Sequence, residues 1–61
     1  MDFTPRQLEI LKLLARDHNH FEIARRLNVS LLMTARVIRL LAAKLEAKTT
    51  AELRGKAREI T

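Results

Sequence analysis

The sequence predicts an all-α fold, and three observations lead to this prediction. Four segments carry apolar residues at helical spacing, each is preceded by a capping residue, and residues that favour strands or tight turns are scarce. The 61 residues include one glycine, one proline, two phenylalanines and neither tryptophan nor tyrosine. Because chains of this length build one core at most, we expect a single domain over residues 1–61.

The first predicted helix spans residues 5–16. Thr4 can cap it, and Pro5 suits the first helical position, where its missing N–H costs nothing. Gln7 can complete a capping box with Thr4. Apolar residues then recur at helical spacing: Leu8, Leu11, Leu14 and Ala15.

The second and third predicted helices span residues 20–27 and 31–46. Asn19 and Glu22 offer a capping box for the second helix. Only three residues separate the two helices, and Ser30, the last of them, can cap the third. A short helix joined to a longer one by such a turn is a helix-turn-helix arrangement.

The two faces of the third helix differ in character at 100° per residue. The expected core stripe consists of Thr34, Ile38, Leu41 and Leu45. The opposite face consists of Leu32, Arg36, Arg39 and Ala43, with Leu40 beside Arg39. This outer face is free to enter a major groove, which makes the third helix the predicted recognition helix.

The fourth predicted helix spans residues 50–60, with Thr49 and Glu52 as a further capping box. Its glycine, at position 55, either permits close approach to a second copy of the helix or is simply tolerated. The predicted dimer residues are Leu53, Gly55 and Ala57. A homodimer is expected because so small a core gains stability from association.

The charge is concentrated in the second part of the chain. The net charge is +5 overall, with −1 in residues 1–24 and +6 in residues 25–61. Such a basic region on a small helical domain indicates a polyanionic partner, of which double-stranded DNA is the commonest.

Short motifs from Phe3 to about Arg58 support that interpretation. They are Thr4-Pro5-Arg6, Glu9-Ile10-Leu11, Leu14-Ala15, the run Glu22-Ile23-Ala24-Arg25-Arg26-Leu27-Asn28-Val29-Ser30, and Lys44-Leu45. Together they resemble the LuxR/FixJ (GerE-type) helix-turn-helix family of bacterial transcription regulators. The resemblance implies a four-helix DNA-binding domain whose third helix reads the major groove and whose fourth helix commonly builds a two-fold dimer.

The resemblance also implies roles for individual residues. Arg36 and Arg39 occupy positions where relatives read bases. Leu32 and Ala35 stand at the base-reading positions where the family typically has lysines, and Lys44 matches a backbone-contact position. The family usually has glycine after the first and third helices, where this chain has an aspartate and a glutamate.

Two interpretations of the basic and apolar residues stay open. Arg25, Arg26 and Lys44 are expected to contact DNA phosphates, but a solvated basic face is the alternative. The apolar residues around Leu32 and Leu40 indicate an alternative function, a protein-binding module derived from this fold. Such a module would be an anti-regulator that pairs with a regulator protein and denies it DNA.

Several other functions are not expected. The absence of cysteine removes disulfide frameworks and thiol chemistry, and the spacing of His18 and His20 fits no zinc motif. We therefore expect no metal, no cofactor and, without a nucleophile–base pair, no enzymatic activity. We expect no membrane segment and a location in the bacterial cytoplasm, at the nucleoid.

Overall fold

Residues 2–61, which the computed structural model describes, form four α-helices and no strand. The helices are α1 (Pro5–Ala15), α2 (His20–Leu27), α3 (Leu31–Lys44) and α4 (Thr50–Ile60). The predicted all-α fold with four helices is therefore confirmed. Helix α1 ends one residue, and α3 two residues, before the predicted ends at residues 16 and 46.

The first two helices begin with the predicted capping boxes. The Oγ1 of Thr4 accepts a hydrogen bond from the N–H of Gln7 (3.1 Å), and the Gln7 side chain accepts one from the N–H of Thr4 (3.0 Å). Asn19 and Glu22 exchange the same two bonds at 2.9 Å each. These bonds satisfy backbone donors that a helix start leaves without partners.

The charge of Glu22 contributes to the start of α2. The hydrogen bond from the Asn19 N–H holds the pKa of the Glu22 carboxyl below its ordinary value of 4.5, and the charges of His18 and Arg26 act in the same direction. Because this pKa is lowered in the folded state, the ionised Glu22 carboxylate adds to the free energy of unfolding at neutral pH. This contribution is lost as the pH falls through the lowered pKa, below 4.5.

The caps of α3 and α4 are simpler. The Oγ of Ser30 accepts from the N–H of Met33 (3.0 Å), and the Oγ1 of Thr49 accepts from the N–H of Glu52 (3.1 Å). The predicted capping box of Thr49 and Glu52 is wrong in its second half. With Thr49 extended at φ −134°, the Glu52 carboxylate accepts instead from the N–H of Lys48 (3.0 Å), one residue earlier.

Helices α1, α2 and α3 end in the same way, although no glycine stands at these ends. The residues with positive φ are Asp17 (65°), Asn28 (55°) and Glu46 (55°). The next N–H in each case bonds back to a carbonyl in the last turn: His18 to Leu13, Val29 to Ala24 and Ala47 to Ala42. This Schellman motif stops α3 at Lys44 and turns the chain toward α4.

We expect Glu46→Gly to raise the free energy of unfolding by about 1 kcal/mol, because glycine adopts positive φ without the steric cost that glutamate meets. Urea or thermal denaturation would measure the change. Glu9→Gly is the matched control: it places glycine at an exposed position inside α1 and should lower stability by about 1 kcal/mol. Equal losses at both positions would contradict the strain assigned to Glu46.

The core lies where all four helices meet. Helix α1 packs most closely on α4, and α2 packs on α3. The buried apolar side chains that form it are Ile10, Leu11, Leu14, Ile23, Ile38, Leu41, Leu45, Leu53 and Ala57. Thr34 is also fully buried, and its Oγ1 donates to the carbonyl oxygen of Ser30 (3.0 Å), so its hydroxyl is satisfied.

Two arginines join α4 to the end of α1. The Nη1 of Arg54 donates to the carbonyl oxygens of Leu14 and His18, both at 3.1 Å. The Nη2 of Arg58 lies 2.7 Å from the Oδ1 of Asp17. Both arginines therefore have partners within this chain, although they contribute to the positive net charge of residues 25–61.

Candidate nucleic-acid interface

The outer face of α3 is presented to solvent by the short connection from α2. Three residues join Leu27 to Leu31, and Ser30 caps the new helix. The predicted core stripe is buried in full: Thr34, Ile38, Leu41 and Leu45. The opposite side is exposed at every predicted position: Leu32, Arg36, Arg39, Leu40 and Ala43.

Arg36 and Arg39 lie about one helical turn apart on this exposed side. Among residues 2–61, no carboxylate oxygen lies within 4.0 Å of either guanidinium, as the ion pairs found there involve other residues. Helix α3 itself contains no aspartate or glutamate. The two guanidinium groups are therefore free to donate to an external acceptor.

Leu32 and Ala35 occupy different places on α3. Leu32 is 61% exposed on the outer face beside the two arginines. Ala35 is half-buried and lines a depression together with His20, Arg39 and Lys48. Ala35 thus lies on the flank of α3 that faces the starts of α2 and α4, rather than at the crest of the outer face.

Sequence reasoning missed Lys48 as a candidate contact. It treated residues 48–50 only as the break before the last helix, but Lys48 is exposed and lines the same depression as Arg39. The only signal in the sequence was the position of Lys48 just after the α3–α4 turn. Its placement beside Arg39 depends on the direction in which the left-handed residue Glu46 sends the chain.

Arg25 and Arg26 lie in the last turn of α2 and are both exposed. Within the described part of the chain, neither guanidinium has a carboxylate oxygen within 4.0 Å. They are placed one helix away from Arg36 and Arg39, just before the turn that leads into α3. This position leaves both side chains free for phosphate contacts.

Lys44 is engaged within the chain. Its Nζ donates to the carbonyl oxygen of Asp2 at 2.7 Å and lies 5.0 Å from the centroid of the Phe3 ring. These contacts hold the segment before α1 against the end of α3. The family resemblance assigned Lys44 to DNA phosphates, and the sequence did not reveal this long-range partner.

We expect Lys44→Ala to lower the free energy of unfolding by about 0.5–1 kcal/mol, the usual size of an exposed cation–π contact. Because its ammonium is already held by residues 2 and 3, the salt dependence of DNA binding should stay unchanged. Thermal denaturation and a salt titration would test the two parts. A loss of about 0.9 in the log–log salt slope would instead restore Lys44 as a phosphate contact.

The residues predicted to form a dimer do not share one surface. Leu53 and Ala57 are buried in the core against the other helices of the same chain. A dimer surface built from their side chains is therefore incompatible with this packing. Gly55 is half-buried, and a Cβ added to it would meet no atom within 4 Å.

Metal-ligand clusters and membrane-spanning helices are absent from residues 2–61. No three His, Cys, Asp or Glu side chains there are grouped so that they could hold a metal ion. His18 lies instead 3.8 Å from the carboxylate of Glu22, through its Nδ1. None of the four helices is long and apolar enough to cross a bilayer.

Known proteins add no further guide to this surface. No protein-family model matches the chain, and no curated protein or solved structure matches it either. The exposed face of α3 and the charges around it are therefore the features from which a function is inferred.

Proposed function

We propose that this protein is a helix-turn-helix DNA-binding domain of a bacterial transcription regulator, with α3 as the recognition helix in the major groove. One observation carries the proposal: Arg36 and Arg39 lie on the exposed side of α3, opposite its buried stripe, and have no carboxylate partner in residues 2–61. The α2–turn–α3 pair has the helix lengths and the short connection of that motif. Such a regulator acts at the bacterial nucleoid.

Arg36 and Arg39 supply the base recognition. An arginine guanidinium can donate two hydrogen bonds to O6 and N7 of guanine, the commonest specific contact in the major groove. Leu32, exposed beside them, suits an apolar contact with a thymine methyl group. Ala35 would lie at the edge of the contact between α3 and the bases, because it is on the flank of the helix.

Arg25 and Arg26 supply contacts to the phosphate backbone. Such contacts set the position of the protein on the duplex without reading its sequence. Both are exposed at the end of α2, from which a side chain can reach the backbone that borders the groove. The resemblance of residues 22–30 to the LuxR/FixJ family supports the same arrangement and the assignment to that family.

Selection from a pool of random-sequence duplexes tests the proposal. We expect enrichment of one short motif that contains guanine, with the selected duplex bound far more tightly than a scrambled one of equal length. Recovery of a random pool after several rounds, with no duplex preferred, would refute sequence-specific binding.

We further propose that two copies bind a two-half-site operator as a homodimer, through the exposed side of α4. Gly55 lies on this side, where a second helix can approach closely because no atom of residues 2–61 lies within 4 Å of the position that a Cβ would take. Leu53 and Ala57 contribute indirectly, by fixing α4 on the core of each copy. A two-fold protein pair matches a two-fold operator.

We expect Gly55→Ala to stabilise the isolated chain and to weaken the dimer. Alanine is about 1 kcal/mol more favourable than glycine inside a helix, and the added methyl meets no atom of residues 2–61 within 4 Å. In a dimer the same methyl would hold the two α4 helices apart. Thermal denaturation and sedimentation equilibrium measure the two effects, and an undiminished dimer would exclude Gly55 from the contact.

A further inference from the structure

The outer side of α3 carries more apolar surface than base recognition uses. Met33 and Leu40 are 53% and 54% exposed, and half-buried Val37 lies between them. Met33 and Leu40 are seven residues apart, which is about two turns or roughly 10.5 Å along the helix. These three residues form a continuous stripe, named here the Met33–Leu40 stripe.

One edge of this stripe is positively charged. Arg36 borders it directly, Arg39 lies farther round the exposed side of α3 toward Ala35, and the helix contains no acidic residue to balance either arginine. The surface thus combines a row of large apolar side chains with a basic border. Large apolar surface patches with a polar or charged rim often mark protein interaction sites.

We propose that the Met33–Leu40 stripe docks an amphipathic helix of a protein partner, with carboxylates along the edge that meets Arg36 and Arg39. A helix with apolar side chains at i, i+3, i+4 and i+7 covers two turns of such a stripe. Its acidic flank is complementary in charge to the two arginines, which have no carboxylate partner in residues 2–61.

Other binding partners match either the apolar side chains or the arginines of this surface, but not both. DNA offers phosphates and guanine acceptors to the arginines, but its major groove has few apolar groups beyond thymine methyls for Met33 and Leu40. A second α3 laid on the same stripe would bring two copies of Arg36 and Arg39 together, and like charges disfavour that pairing. An acidic amphipathic helix meets both requirements.

The docking has a regulatory consequence. Arg36 and Arg39 would bind either the bases of DNA or the carboxylates of the partner helix. A partner helix on the stripe therefore displaces DNA. The docking itself is independent of the proposed function, whereas the competition with DNA depends on it.

Binding of a designed peptide tests the docking. The probe is a synthetic helix with leucines at i, i+3, i+4 and i+7 spacing and glutamates on its flanks, and the comparison peptide has lysines in place of the glutamates. We expect the acidic peptide to bind at least about tenfold more tightly and to shift the amide NMR signals of α3. Equal binding of both peptides, or shifts confined to other helices, would overturn the proposal.

Variants separate the docking from DNA binding. The double variant Met33→Ala/Leu40→Ala should weaken peptide binding at least about tenfold and change DNA affinity less than about twofold. Ile60→Ala, which shortens an exposed apolar side chain at the far end of α4, is the control and should leave peptide binding unchanged. Undiminished peptide binding by the double variant would refute the stripe.

The two proposals can fail separately. A chain that binds DNA but no peptide refutes the docking and leaves the DNA proposal standing. Peptide binding without DNA binding supports the docking. It refutes the proposal that the chain binds DNA, and with it the proposed displacement of DNA by the partner helix. If both ligands bind, the acidic peptide must release labelled DNA from the wild-type chain, and simultaneous binding would refute the shared use of Arg36 and Arg39.

Discussion

Replacing Arg36 or Arg39 by alanine is expected to lower the affinity for the preferred duplex roughly 5- to 150-fold, which corresponds to about 1–3 kcal/mol per bidentate contact with guanine. The affinity for unrelated duplexes should fall much less, because phosphate contacts supply nonspecific binding. Preference for one base should therefore be relaxed at the position that each arginine reads. Fluorescence anisotropy with the preferred duplex and its single-base variants measures both effects.

Arg16→Ala is the matched control for these two substitutions. It removes the same charge from an exposed arginine, but Arg16 lies at the end of α1 in a depression that it shares with Lys12 and Arg58. We expect the affinity for the preferred duplex to change less than about twofold, because salt screens a charge that lies far from the bound DNA. An equal loss for Arg16→Ala and Arg36→Ala would mean that net charge, and not α3, determines binding.

Leu41→Ala is expected to lower the free energy of unfolding by about 2–5 kcal/mol. Leu41 is 0% exposed in the core between α3 and the other helices, so the substitution removes three buried heavy atoms and leaves a cavity. A domain this small has only a few kcal/mol of stability, so most of the variant should be unfolded at 37 °C. Circular dichroism and urea denaturation measure the loss.

Leu40→Ala, one residue earlier, is the control. The same atoms are removed from a side chain that is more than half exposed, and we expect a change within about 0.5 kcal/mol. Comparable losses at the two positions would contradict the orientation of α3, because one of these leucines must then be wrongly placed. The pair therefore tests which face of the helix is buried.

The helices and the two faces of α3 could be predicted because both depend on local patterns. Thr4 and Asn19 cap helices in the way their spacing to Gln7 and Glu22 implies. The stripe that includes Leu41 is buried as its periodicity predicts. These features follow from neighbours within one or two turns, which the sequence displays directly.

The ends of the helices were harder to predict. Glu46 adopts positive φ, a conformation that glycine normally signals, and the absence of glycine there concealed the end of α3 at Lys44. Asp17 conceals the end of α1 in the same way. The resemblance had marked both positions as glycines in relatives, and that was the usable signal.

Roles that depend on distant partners could not be predicted. Lys44 is held by Asp2, 42 residues away in the chain, and Arg54 by carbonyl groups near the end of α1. Leu53 was assigned to a dimer because it lies near Gly55 on the fourth helix, but it packs in the core. Spacing identifies the face of a helix, whereas the partner of that face depends on how the helices assemble.

The salt dependence of DNA affinity tests the central claim most directly. For the wild-type chain between about 50 and 200 mM salt, log affinity should fall linearly with log salt concentration, by about 0.9 for each phosphate contact. With Arg25 and Arg26 as such contacts, we predict a slope of about −1.8 or steeper, and a shallower slope for the Arg25→Ala/Arg26→Ala variant. No detectable binding to duplex DNA at the lowest salt concentration would contradict the assignment of this chain as a DNA-binding domain.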